Sequence, residues 1–157
     1  MRIAVSGHRG LDDTTTRLVD EGIRAHLATI EGDLVGLSCL ADGADQIFAR
    51  AVLDAGGKLV AVVPAVKYRD SSLPESAHAE YDDLLARAVD VHRLDHIEST
   101  SESHMDASRL MLRAADVLLA VWDGEPARGY GGTADVVYLA REMGLSVARV
   151  WPDGASR

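Results

Sequence analysis

Three short stretches carry residue types from which a binding or catalytic site can be built. The first is Arg128-Gly129-Tyr130-Gly131-Gly132-Thr133, with Asp135 just beyond. Glycine permits positive φ and close backbone approach, so this loop can fold tightly around a group that a side chain would displace. It follows an apolar run, Val117 to Trp122, that reads as a buried strand stopped by Asp123-Gly124. Thr133 then opens a helix, signalled by Val136, Val137, Ala140 and Met143 at helical spacing and ended by Gly144. Strand, glycine loop and helix N-terminus form a natural anion site, because unpaired N–H groups and the positive end of the helix dipole converge there. Phosphate is the expected guest. The spacing matches neither G-x-G-x-x-G nor G-x-x-x-x-G-K-[ST], and no lysine follows, so this is not a Walker loop. The plain alternative is that the glycines only turn the chain from strand to helix.

The second stretch is Ser6-Gly7-His8-Arg9-Gly10, delivered by the apolar run Ile3 to Val5. The third is Ser38-Cys39-Leu40-Ala41-Asp42-Gly43-Ala44-Asp45, delivered by Leu34 to Leu37. Between them, Asp12 or Asp13 caps a helix whose apolar stripe is Val19, Ile23, Leu27 and Ile30, ended by Gly32-Asp33. Ala44, Ile47, Phe48, Ala51, Val52 and Ala55 mark a second helix, closed by Gly56-Gly57. Leu59 to Val63 is a strand ended by Pro64. Ala65 to Pro74 is irregular, either a lid or a plain surface connection. Pro74-Glu75 opens a helix bearing Ala77, Tyr81, Leu84, Leu85 and Ala88, and Val89 to Leu94 is a weaker strand. The serine-rich segment Asp95 to Glu102 is expected to be exposed and loosely ordered. A helix over 103–114 feeds the central strand, and Ser146 to Val150 is the last strand, ended by Trp151-Pro152.

Strands and helices alternate, and the strands read as continuous apolar runs. The expected fold is therefore α/β: a Rossmann-like three-layer α/β/α sandwich with a mainly parallel sheet of about six strands. No repeat or linker divides residues 1–157, so a single Rossmann-like nucleotide-binding domain is expected. In such sheets ligands sit beyond the carboxyl ends of the strands, where strand order reverses. The loops Gly7–Gly10, Ala41–Asp45 and Asp123–Thr133 all fall on that edge.

Composition narrows the partners. With 47% hydrophobic and 26% charged residues the chain resembles an ordinary globular protein. A net charge of −9 opposes any affinity that rests on neutralising many phosphates, so nucleic acid is not the expected partner, although a local basic pocket stays open. Cys39 is the only cysteine, which excludes a disulfide framework and a cysteine-rich zinc site and fits a reducing, cytoplasmic setting. No run approaches a membrane span, and no signal pattern follows Met1-Arg2, so no membrane partner is expected. His26, His78, His92, His96 and His104 make no helical metal-binding pair, so neither metal nor other cofactor is expected. Glu80, Asp82 and Asp83 read as a solvated helix face. Trp122 is expected to pack beside the site, and Trp151 to mark an oligomer contact. With so few aromatics to stack on a base, a homo-oligomeric partner subunit is the expected completion of a base pocket.

Taken together, Ser6-Gly7-His8-Arg9, Leu40-Ala41-Asp42-Gly43-Ala44-Asp45, Val121-Trp122-Asp123-Gly124 and Gly131-Gly132-Thr133-Ala134-Asp135 resemble the signature loops of the SLOG superfamily of Rossmann-like proteins. The resemblance covers nearly the whole chain. That superfamily includes the lonely-guy phosphoribohydrolases, which cleave nucleoside monophosphates at the base–ribose bond, the DprA-like recombination proteins, and sensor domains for nucleotide-derived signals. A ligand carrying ribose and phosphate is implied, but not one reaction. The hydrolase branch carries Pro-Gly-Gly-x-Gly-Thr-x-x-Glu, whereas three residues beyond Thr133 this chain has Val136. Asp135 is shorter and turned about 100° from the missing glutamate. The hydrolase arginine falls near Ala107, with Arg109 close by on the same helix.

Roles follow as expectations. Gly131, Gly132 and Thr133, with Gly129, offer N–H groups and a hydroxyl to phosphate, and Arg128 or Arg9 adds charge and forked hydrogen bonds. Asp42, Asp45 or Asp135 accepts hydrogen bonds from ribose hydroxyls or, alternatively, caps loops and helices. Gly7, Ala41, Gly43, Asp123 and Gly124 complete the lining. Candidates for acid–base catalysis are His8, Asp45 and Asp135, His8 having the alternative of bridging loops. The function expected is binding or sensing of a nucleotide-derived small molecule. The alternative is a nucleotide N-glycosidase, and the third reading is a DprA-like DNA-binding protein.

Overall fold

The computed structural model of the chain describes residues 1–157. Its elements run β1 (Arg2–Gly7), α1 (Asp13–Leu27), β2 (Val35–Ser38), α2 (Ala44–Asp54), β3 (Lys58–Val63), α3 (Tyr68–Ser72), α4 (His78–Arg87), β4 (Asp90–Arg93), α5 (Ser101–Arg113), β5 (Val117–Val121), α6 (Thr133–Glu142) and β6 (Ser146–Val150). The six strands form one sheet in the order β4-β3-β2-β1-β5-β6, with every pairing parallel. This is the Rossmann-like α/β fold expected from the alternation of apolar runs and helices.

Alternation along the central strands divides the core between two faces. Ile3, Val5, Leu119 and Val121 meet Val19, Ile23 and Leu27 of α1 and Phe48 and Val52 of α2. Ala4, Leu118 and Ala120 meet Met105, Met111 and Leu112 of α5 and Val136, Val137 and Ala140 of α6. A third group, including Leu59, Ala61, Tyr68, Tyr81 and Leu84, covers β3 with α3 and α4. Phe48 is fully buried among these side chains. The consequence for position is simple: β1 sends its chain to one side and β5 to the other, so strand order reverses between them. Ser6 pairs with Ala120 and Gly7 with Val121, and both strands open onto the same edge.

Several local expectations change on contact with tertiary structure. α1 starts at the expected cap, Asp12, whose side chain accepts from the Thr15 N–H, but it ends at Leu27. Ile30 therefore packs against the core from the turn beyond, not from the helix. Ala65–Pro74 is not a structureless lid. It contains α3, and Tyr68 is buried there against Tyr81 and His104. Asp95–Glu102 is mostly exposed as expected, yet it is held in place: the N–H groups of Val66 and Lys67 donate to the carbonyls of His96 and Ile97 at 2.9 and 3.0 Å. Its end is fixed by a reciprocal cap, in which the Thr100 hydroxyl accepts from Ser103 N–H and the Ser103 hydroxyl accepts from Thr100 N–H. Serine composition thus signalled a helix start, not looseness.

Candidate functional site

The loops after β1, β2, β3 and β5 surround a cleft of about 550 Å³ at the switch point, roofed by α5. Gly7, His8 and Arg9 form its base, Ala41 and Asp45 one wall, and Arg128, Gly129, Gly131, Gly132 and Thr133 the opposite wall. These expected residues are brought together. Asp42, Gly43, Asp123, Gly124 and Asp135 are not among the lining residues, and each has a visible structural task instead.

Asp42 clamps two loops. Its Oδ1 accepts from Arg9 Nε and Nη2 at 2.9 and 2.7 Å, and its Oδ2 accepts from the Gly10 N–H at 3.1 Å. Gly43 lets the same loops touch, because it has φ +86° and a Cβ there would lie 2.7 Å from the His8 carbonyl oxygen. Gly7 has a related duty, since a side chain on it would overlap Ala44 and Val121. Gly124 takes φ +88° in the turn after β5. Asp135 accepts from the Gly131 N–H at 2.9 Å, so it ties the glycine loop to the first turn of α6.

Asp123 is the electrostatic anchor of the base. It accepts from the Glu125 N–H at 2.9 Å and from Arg157 Nη1 at 3.0 and 2.9 Å, and it lies 3.2 Å from His8 Nε2. Burial raises its pKa, but these donors and charges prevail and hold the carboxyl at about 2. His8 goes the other way. Burial first, and then the Arg157 charge, lower its pKa against the pull of Asp123. Its Nε2 lies 3.1 Å from the Asp123 backbone nitrogen and 3.2 Å from the Asp123 carboxylate, so the ring bridges the loops after β1 and β5. Trp151, expected at an oligomer contact, is half-buried and packs edge-on against the His8 ring at 5.3 Å. Trp122 is buried near the site, as expected, and donates from Nε1 to the Glu125 carbonyl.

Asp45 is a wall carboxyl poised near neutrality. Desolvation raises its carboxyl to about 7, opposed by the Ala41 N–H that it accepts and by the Arg9 charge. Between pH ~4 and ~7 the folded chain holds a proton that the unfolded chain has released. The stabilisation is therefore complete below the ordinary carboxylate range and is lost as pH rises through about 7. Asp45→Asn cannot ionise, so its melting temperature relative to wild type is expected to be higher at pH 8.5 than at pH 5. Melting curves at both pH values check this, and an equal offset at both would contradict it.

The α6 wall supplies the anion chemistry. Gly132 is the N-cap and offers no side chain, and Val136 is the first helical N–H to find a carbonyl, that of Gly132, at 3.2 Å. The N–H groups of Thr133, Ala134 and Asp135 begin the helix without a side-chain cap. The first of these residues lines the cleft together with the arginines at 9, 128 and 157.

Sequence reasoning missed the parts of the lining that come from elsewhere. His104, Ser108 and Met111 recur at i, i+4 and i+7 on α5, a spacing that shows they share one face. Tyr68 reaches in from α3, and Cys39, Pro64 and Tyr130 complete the surface. Arg109 stays outside the lining, donating to Asp106 and to the Tyr130 hydroxyl. The other expected surface residues are paired: His96 meets Asp106 at 2.7 Å, Glu80 and Asp83 meet Arg50, and Asp82 meets Arg69. No group of three His, Cys, Asp or Glu side chains is arranged to hold a metal ion. No helix is long and apolar enough to cross a membrane.

No protein-family model and no curated protein sequence matches the chain. Its fold does match solved structures. DNA processing protein A from Streptococcus pneumoniae is 21% identical with a TM-score of 0.69, covering 98% of this chain and 51% of its own. The chain thus spans about half the length of that protein. The corresponding protein from Helicobacter pylori, solved for its single-stranded DNA binding mode, is 16% identical with a TM-score of 0.71, over 99% of this chain and 68% of its own. A molybdenum cofactor binding protein from Rippkaea orientalis is 14% identical with a TM-score of 0.60, over 97% of this chain and 77% of its own. At these identities the likeness shows the fold. It is the Rossmann-like α/β fold expected from the sequence.

Proposed function

We propose that the cleft binds a nucleotide or a nucleotide-derived small molecule by its phosphate, and that the protein acts as a binding or sensing module. The observation that carries this reading is the meeting, at the switch point, of an uncapped helix N-terminus with a glycine loop and Arg128. Asp45, on the opposite wall, is suited to a ribose hydroxyl. The DNA processing proteins and the cofactor-binding protein share this fold, so the chemistry of the cleft has to choose between a polymer and a small molecule. The net charge is −9, and Arg17, Arg24, Arg50, Arg69, Arg87 and Lys67 are each paired with carboxylates, which weighs against an affinity built on neutralising many backbone phosphates.

The testing experiment is a thermal-shift screen of mononucleotides, dinucleotides, cyclic nucleotides and molybdenum cofactor. A ligand at a hundred times its Kd stabilises the fold by about 2.7 kcal/mol. For a chain of this size that raises Tm by roughly 5–10 °C. No shift from any compound would remove the reading.

Asp45 favours a second reading, an N-glycoside hydrolase in which its carboxyl exchanges a proton with water or with the departing base. Water would add to the ribose carbon as the base leaves, giving free base and ribose phosphate. Product analysis of any bound nucleotide separates the two readings: a hydrolase releases base, and Asp45→Asn stops release while keeping binding.

A further inference from the structure

The segment after β6 doubles back along the start of α1. The Thr15 hydroxyl is fully buried, accepts from the Ser156 N–H at 2.9 Å and donates to the Ser156 carbonyl at 3.2 Å. Asp12, which caps α1, also meets the Ser156 hydroxyl at 3.4 Å. Earlier in the segment, Trp151 rests on His8. With the backbone latched at Ser156, the next side chain is carried into the base of the cleft. The Arg157 side chain is only 15% exposed and lines the cleft with Arg128 and Gly129–Thr133. Its contact with Asp123 uses Nη1 alone, at 3.0 and 2.9 Å, so one end of the guanidinium is fixed and its other N–H groups remain for a ligand. A planar fork held at one end loses little freedom when it grips a phosphate.

We infer that residues 152–157 are a strap whose function is to place Arg157 as a phosphate-binding residue opposite the start of α6. Thr15 is the latch, acting through Arg157, and Asp123 aligns the fork. The inference rests on the reading of the cleft as a phosphate site, and adds a binding group from a segment that shares no loop with the rest of it.

The test uses the full chain, with inorganic pyrophosphate and ADP as probes, calorimetric Kd as the readout and ligand-free melting as the control for folding. Arg157→Ala is expected to weaken both probes by tenfold or more, Arg157→Lys to recover only part of the loss, and Thr15→Val to weaken both in the same direction. Arg17→Ala removes an equal charge from an exposed site and is expected to leave Kd unchanged. A purely structural Arg157 would lower Tm without moving Kd. If Arg157→Ala keeps the wild-type Kd while Gly129→Val abolishes binding, the strap proposal is overturned and the cleft reading stands. If wild type binds neither probe and no compound of the screen, both fall.

Discussion

Gly43→Val is expected to destabilise the fold by about 4 kcal/mol, roughly 8–16 °C in Tm. Two costs combine at this residue. Its φ of +86° and ψ of −132° lie outside the regions that side-chain-bearing residues adopt, including the left-handed helical region that asparagine tolerates. A Cβ would also stand 2.7 Å from the His8 carbonyl oxygen and 3.0 Å from Arg9 Cα. Neither neighbour can give way cheaply, because both are backbone, and the His8 carbonyl also accepts the Ala44 N–H at 3.2 Å. Relief would mean separating the β1 loop from α2 and breaking the Arg9–Asp42 clamp, which opens the base of the cleft. Denaturant unfolding measures the loss. A change below 1 kcal/mol would show that the two loops are not pressed together as described.

Gly129→Val has the opposite profile: stability close to wild type and ligand affinity reduced at least a hundredfold, which corresponds to about 2.7 kcal/mol. A Cβ on Gly129 meets nothing within 4 Å, and the residue does not adopt a positive φ, so the folded chain accepts a side chain there. Gly129 is part of the cleft lining, so a side chain added there stands at the wall of the site. Gly132 looks similar in sequence but is a poor probe, since a Cβ there would come within 2.9 Å of Ala127 and 3.3 Å of the Gly129 carbonyl. Loss of binding in a Gly132 variant therefore mixes misfolding with occlusion, whereas Gly129→Val separates them. Melting without ligand and calorimetry with it give the two numbers. Full affinity in a folded Gly129→Val would place the ligand elsewhere.

The layout was legible because its causes are local. The short, partly β-branched run Val117–Val121, stopped by Asp123-Gly124, reads as a buried strand, and Asp12 and Gly144 bound their helices through backbone chemistry that each residue carries itself. The edge holding the site followed from the order of elements. What stayed hidden depends on contacts between residues far apart in the chain. Asp135 reads as a ligand group until Gly131 is seen to donate to it, and Asp42 until Arg9 and Gly10 are seen to occupy both its oxygens. Arg157 has no local signal at all: the Thr15–Ser156 latch that positions it joins residues 141 apart. Asp45 was visible as a polar wall residue, but its raised pKa arises from desolvation by neighbours that no spacing rule reveals.

The most direct measurement is an amide NMR titration of isotopically labelled wild-type chain with inorganic pyrophosphate. If the start of α6 is the phosphate site, the largest shifts will fall on the N–H groups of Thr133, Ala134 and Asp135, with smaller ones along Gly129–Gly132. Saturable shifts centred elsewhere, for instance on the separate groove lined by Thr16, Arg17, Gln46 and Arg50, with the α6 amides unmoved, would contradict the account.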